Sequence, residues 1–187
     1  MYAAISRRLR SRACAVAIGE VGQALRVELP PDQVTSRLNA LYPMESNGGH
    51  FLTVVYATLD ARSLEFKYSA AGHPAPTIVR PGEAIRVLES DGLPIGVTAG
   101  ADYATTSVQL QAGDRVYLYS DGLMEAMNEQ NELFRRTRIE DVIDATRAMT
   151  LDESIDALVD AAVAWQGSEQ FTDDLSLLAL EVPGSKS

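Results

Sequence analysis

The sequence predicts an α+β fold layered on antiparallel sheet, and three observations carry that expectation. Short runs rich in Val, Ile, Tyr and Phe recur between Phe51 and Tyr119, each bounded by Gly, Pro, Asp or Asn, as strands and their turns are. Two stretches after Arg138 place apolar residues at helical spacing. A last apolar run, Leu175 to Val182, closes the chain. Strands followed by helices and a final strand suit antiparallel sheet with helices laid on it. At 187 residues the chain has the size of one domain with a real core, and no repeat or linker divides residues 1–187. Residues 1–30 form an atypical N-terminal segment within it, and residues 183–187 are expected to be a disordered tail.

Taken in order, Met1 to Arg12 reads as a surface helix, with Ala3, Ala4, Ile5 and Leu9 on one side and the arginines elsewhere. Ala13 to Leu29 is ambiguous: Gly19 and Gly22 weaken a helix, and Cys14 to Ile18 is equally a short buried strand. Pro30-Pro31-Asp32 starts a helix with Val34, Leu38 and Leu41 as its apolar face, and Asn47-Gly48-Gly49 breaks it. Phe51 to Ala57 and Leu64 to Tyr68 form a hairpin across a turn at Leu59 to Ser63. The second strand alternates apolar with charged residues, as a strand with one wet face does.

Ala70 to Pro74 is a small-residue loop before a strand at Thr77 to Arg80, and Gly82 turns the chain towards Ile85 to Leu88. Gly92 to Gly96 makes a rigid loop, and Tyr103 to Leu110 a further strand with Val108 and Leu110 on one face. Past the strand that ends at Asp121, Leu123 to Met127 begins a helical segment that the polar turn Asn128 to Asn131 interrupts. Helices follow at Ile139 to Met149 and Leu151 to Trp165, the second capped by Thr150 or Asp152.

Composition narrows the function. Hydrophobic residues at 46% and charged residues at 22% are ordinary for a soluble globular protein. A net charge of -10 argues against non-specific binding to nucleic acid or to an anionic membrane. It suits a protein that collects divalent cations. The single Cys14 leaves no internal disulfide and no cysteine-cluster metal site, and a reducing, cytoplasmic setting is the plain expectation. No stretch is long and apolar enough to span a bilayer.

The chemistry concentrates around Gly113 to Ala126. A Val- and Tyr-rich strand stops at Asp121-Gly122, so a carboxylate projects from a rigid scaffold. Such a charge needs a partner, and a bound cation is one. Gly122 lacks the β-carbon that would keep a ligand away from the backbone. An ordinary hairpin or helix-capping Asp-Gly has the same local sequence. Asp173-Asp174 mirrors this placement, immediately before the last strand. If that strand lies beside the Asp121 strand, the acids converge at one sheet end, as hard oxygen donors for Mg²⁺ or Mn²⁺. The alternative there is an Asx-turn. His73 sits in a small-residue loop as a hydrogen-bonded structural residue, and His50 has no assigned role. No Gly-rich phosphate loop, zinc spacing or serine nucleophile elbow is present.

Together these pieces resemble one family. Phe51-Leu52-Thr53 with Tyr56, Tyr68 to Pro74, Gly92 to Val97, Gly113-Asp114, Tyr119 to Ala126 and Thr172 to Ser176 occur in the order found in the PPM-type metal-dependent serine/threonine phosphatases of the bacterial SpoIIE/RsbU branch. The match runs from about Pro31 to Val182. The resemblance implies an αββα sandwich of antiparallel sheets flanked by helices, with a binuclear Mn²⁺/Mg²⁺ site whose water attacks phosphorus in line. By position, Asp121 and Asp173 match metal-binding, catalytic aspartates, Asp174 is a neighbour, and Gly72-His73 belong to a structural loop. The implied substrate is a phosphoserine or phosphothreonine protein, typically a small anti-anti-sigma (STAS) partner; a homodimer is compatible with the sequence.

The family's N-terminal Gly-Asp and Asp-Val-Ser-Gly motifs have no clear counterpart. Ile18 to Gln23 resembles the second only faintly, with Glu20 imitating the motif's aspartate through a longer side chain. The favoured alignment puts Met1 to Arg12 on the family's first helix, so the domain is read as N-terminally incomplete. Its early strands are then missing and a sheet edge is left open. Two carboxylates remain where the family uses about four, which holds two ions poorly. An active phosphatase is therefore set against a catalytically weak or inactive pseudophosphatase that binds a partner.

Overall fold

The computed structural model describes residues 29–171 and 173–184, together with the backbone of residues 4–9. Its strands form two antiparallel sheets, and the described residues group into two compact units with one sheet each. The fold class is α+β. Among the described residues no helix is long and apolar enough to cross a membrane.

The first unit holds residues 29–75 and 88–111. Helix α1 (Pro31–Leu41) starts with a proline in its first turn, where the missing N–H costs nothing. It buries Val34 and Leu38 against Ala71 and Ile95. Leu41, expected on that face, is 69% exposed, because it is the last helical residue and Tyr42 ends the turn beneath it. Strands β2 (Val54–Leu59) and β3 (Glu65–Ala71) form the expected hairpin. Its turn is fixed by Asp60, whose Oδ1 accepts from the Arg62 and Ser63 N–H groups at 2.7 and 3.1 Å. These two bonds hold the Asp60 carboxyl below its ordinary pKa.

The second unit contains β1 (Ala4–Leu9), β4 (Thr77–Val79), β5 (Arg86–Val87), β7 (Arg115–Tyr119) and β8 (Ser176–Glu181), in the sheet order β1-β8-β7-β4-β5. In the first unit, β6 (Thr106–Gln109) completes the order β2-β3-β6. The segment expected as a helix at Met1 to Arg12 is therefore strand over Ala4–Leu9, in six-residue register with β8 from Ala4 opposite Glu181 to Leu9 opposite Ser176. Backbone pairing along β8 overrides a weak helical pattern. The same pairing covers the β8 edge that the expected loss of early strands would leave open. Residues 10–28, which include Cys14 and Glu20, and the last three of the tail lie outside the described residues.

Short helix α2 (Asp121–Met124) follows β7, and α3 (Arg135–Ala145) and α4 (Leu151–Gln166) come next. Helix α3 begins and ends four residues earlier than the sequence pattern indicates. It stops where Thr146 turns its hydroxyl back to the Val142 carbonyl at 2.8 Å. A capping box starts α4: Glu153 N–H donates to Thr150 Oγ1, and Thr150 N–H to Glu153 Oε2. Ile139, Ile143, Ile155 and Leu158 pack on Tyr117, Tyr119, Leu177 and Ala179 of the sheet. One polar chain crosses this core, with Tyr117 Oη 2.9 Å from Ser154 Oγ and Ser154 Oγ 2.8 Å from Thr146 Oγ1.

The ladder between β7 and β8 is anchored at its outer end. Gly113 N–H donates to the Val182 carbonyl at 2.8 Å, and Val182 N–H to the Asp114 carbonyl at 2.9 Å. The Asp114 side chain is fully buried, and the Arg80 guanidinium grips it through Nε at 2.9 Å and Nη2 at 2.8 Å. Removing one partner of such a pair strands the other charge. Asp114→Ala is expected to cost roughly 3–5 kcal/mol of folding stability, measured by urea unfolding.

Candidate active site

The other end of the same ladder carries the acids. Antiparallel pairing puts Tyr119 opposite Leu177, so the chain leaving β7 and the chain entering β8 lie side by side. Asp121 is two residues beyond β7, as the first residue of α2; Asp173 and Asp174 precede β8. The sequence condition for convergence, that the last strand lies beside the Asp121 strand, is met.

Three contacts hold the two segments together. Ser120 N–H donates to the Ser176 carbonyl at 2.9 Å, Ser120 Oγ donates to the Asp174 carbonyl at 2.8 Å, and Ser176 N–H donates to Ser120 Oγ at 2.9 Å. Gly122 lies flat against the same stretch. A β-carbon there would stand 2.6 Å from the Asp174 carbonyl oxygen and 3.4 Å from the Asp173 carbonyl carbon. Gly122 was expected to admit a ligand; its bare Cα admits the backbone of the opposite segment.

Each carboxylate is engaged locally on one oxygen. Asp121 Oδ1 accepts from Gly122 N–H at 3.1 Å, and Asp173 Oδ1 from Asp174 N–H at 2.7 Å. No cation is paired with either among the described residues. Asp121 is half-buried, while Asp173 and Asp174 are exposed. Both Asp121 and Asp173 are hard oxygen donors of the kind that Mg²⁺ accepts, often through one or two carboxylates with waters and a phosphate completing its shell. In donor chemistry the pair fits such an ion. Among the described residues no three His, Cys, Asp or Glu side chains are grouped to enclose one. Tyr119, two residues before Asp121, is 2% exposed within the core, and burial pushes its phenol pKa up.

The remaining candidates have structural contacts. His73, in the first unit, holds Nδ1 3.0 Å from the Pro74 carbonyl, and its own carbonyl accepts from Ser90 Oγ at 2.6 Å. Gly72 beside it adopts φ +65°, and a β-carbon there would meet the Pro94 ring at 2.5 Å, so the two motif loops nest on each other. His50 is exposed. Sequence reasoning gave no role to Ser120. The available signal was a serine one residue past β7 with another, Ser176, opening the strand that pairs with it.

A family model described as Stage II sporulation protein E (SpoIIE) matches residues 11–183. The chain belongs to the SpoIIE family. It is 28% identical over 151 residues to the phosphoserine phosphatase RsbU of Bacillus subtilis (strain 168), an alignment covering 80% of this chain and 44% of that protein. The chain thus spans less than half the length of that relative. The PP2C phosphatase domain of the cell fate determinant SpoIIE from Bacillus subtilis, solved with a fragment of its regulatory domain, superposes with a TM-score of 0.75 at 16% identity, over 95% of this chain and 58% of that one. The RsbU and RsbW domains of a Mycobacterium tuberculosis protein give 0.70 at 23%, over 99% and 52%. The fold of this SpoIIE-family chain is that of PPM-type phosphatase domains, as the ordered motifs led one to expect.

Gly122→Ala forces the Asp173–Asp174 backbone to retreat. It is expected to cost about 1–3 kcal/mol in denaturant unfolding and to shift the amide resonances of residues 173–176 more than those of β4.

Proposed function

We propose that this chain hydrolyses phosphoserine or phosphothreonine on a partner protein, with a divalent cation, Mn²⁺ or Mg²⁺, held by Asp121 and Asp173. The observation that carries the reading is that β7–β8 pairing brings the segments bearing Asp121 and Asp173 to the same end of the ladder, with one oxygen of each carboxylate engaged locally. Membership of the SpoIIE family and the relative named as a phosphoserine phosphatase support it. The substrate is a phosphorylated regulatory protein of the anti-anti-sigma (STAS) type, met in the cytoplasm.

When bound, the cation supplies an acidic water as nucleophile and positive charge for the phosphoryl oxygens. The chain's own residues set the stage. Asp121 and Asp173 face the incoming phosphate with negative charge that needs neutralising, which makes substrate binding depend on the metal. The Gly122 and Asp174 N–H groups fix one oxygen of each carboxylate and so fix the direction of the other.

A second reading, partner binding without turnover, is favoured by one observation: no group of three metal-binding side chains comes together among the described residues. Hydrolysis of a phosphoserine peptide and of an aryl phosphate, titrated with Mn²⁺, separates the two readings. Saturable turnover, reduced on the order of 100-fold or more in Asp121→Asn and in Asp173→Asn, establishes the phosphatase. Folded protein that turns over neither substrate at millimolar Mn²⁺ leaves the binding module.

A further inference from the structure

Strand β7 changes into helix α2 within a single residue, and Ser120 is that residue. In a continuing antiparallel ladder, a hydrogen-bonded pair exchanges two backbone bonds. Ser120 and Ser176 make only one of them, from Ser120 N–H to the Ser176 carbonyl at 2.9 Å. The Ser120 carbonyl is already committed elsewhere, accepting from Leu123 N–H at 3.2 Å as α2 begins. Ser176 N–H, left without that acceptor, donates to Ser120 Oγ at 2.9 Å. The hydroxyl spends its own proton on the Asp174 carbonyl at 2.8 Å.

Ser120 occupies the N-cap position of α2, yet its side chain makes no capping bond to its own helix. A serine there ordinarily turns its oxygen to the N–H groups of its own first turn. Here the oxygen crosses to the neighbouring strand.

We propose that Ser120 is a positioning residue for the proposed metal site. Its hydroxyl substitutes for a backbone carbonyl, so β7 turns into α2 at Asp121 without releasing β8. By gripping the Asp174 carbonyl, it also fixes where the Asp173 carboxylate stands relative to Asp121. The proposal rests on the reading of Asp121 and Asp173 as the metal-binding pair. A side chain that holds a ligand's backbone in place affects metal affinity as an outer-shell partner does, typically by about 10- to 100-fold.

The test compares wild type, Ser120→Ala and Ser120→Thr by two measurements on the purified full chain: Mn²⁺ binding by calorimetric titration, and amide exchange at Ser176 against Val116 to Leu118. Ser120→Ala is expected to weaken Mn²⁺ binding about 10- to 100-fold and to speed exchange at Ser176 roughly 10-fold, with β7 rates unchanged. Ser120→Thr, which keeps the hydroxyl, restores both. Unchanged Ser176 exchange in Ser120→Ala overturns the proposal, as does faster exchange with wild-type Mn²⁺ affinity. Should Ser120→Ala lose protection throughout β7, Ser120→Cys, whose thiol hydrogen-bonds weakly, carries the same comparison. A wild-type chain that takes up no Mn²⁺ overturns the metal site itself. Faster Ser176 exchange in Ser120→Ala then still supports the hydroxyl's hold on β8, and unchanged exchange overturns that as well.

Discussion

The antiparallel ladder of β7 and β8 governs the second unit because both its ends are occupied by something other than repeating sheet. At one end Gly113 and Asp114 exchange backbone bonds with Val182, while Arg80 neutralises the buried Asp114 carboxylate. At the other, Ser120 and Gly122 lock onto the segment of Asp173 and Asp174. Between them, Arg115 reaches across to Glu181 at 2.6 Å. Asp121 and Asp173 come from parts of the sequence far apart, and this pairing is what brings their segments side by side. Helices α3 and α4 contribute by pressing Ile139, Ile143, Ile155 and Leu158 onto one face of the sheet. That burial stabilises the ladder without supplying any chemistry of its own.

The two ends treat charge in opposite ways. Asp114 is fully buried and paired with a guanidinium in bidentate geometry, an arrangement that satisfies a carboxylate inside protein. Asp121 and Asp173 receive backbone N–H donors but no cation among the described residues. A chain with a net charge of -10 gains from any divalent ion it takes up, because uptake relieves self-repulsion as well as local charge. The same sheet thus carries one acid whose needs are met by the fold and two whose needs a ligand can meet.

Much of this was legible in the sequence. The hairpin of β2 and β3, the helix at Pro31, a cap at Thr150 as one of two candidates and the closing strand all follow from local signals that tertiary packing did not override. Asp121 and Asp173 were candidates because each sits at the end of an apolar strand and in a motif of the family, although acids in such places also serve as ordinary turn residues. What stayed hidden depended on partners distant in sequence. Ala4–Leu9 is a strand because β8 has an edge to offer, and nothing within those six residues says so. Gly122 looked like a ligand-admitting glycine because the Asp174 carbonyl that it accommodates lies 52 positions downstream. Ser120 was unremarkable until its hydroxyl was seen to bond a strand instead of a helix.

A ladder held at both ends cannot slide. Moving β8 by one residue against β7 would displace it by about 3.3 Å and turn every side chain to the opposite face, and it would have to break the Val182 bonds and the Ser120 bonds at once. The consequence concerns where this gene can gain or lose codons. The exposed turn at Glu129 to Asn131 and the exposed residues from Gly167 to Gln170 lie outside the ladder, and surface loops of that kind absorb insertions and deletions. From Gly113 to Gly122 and from Asp173 to Val182 the length is fixed. One codon added or removed there would part the two acids while leaving both in the sequence, so a chain could keep every motif of its family and still lose the site.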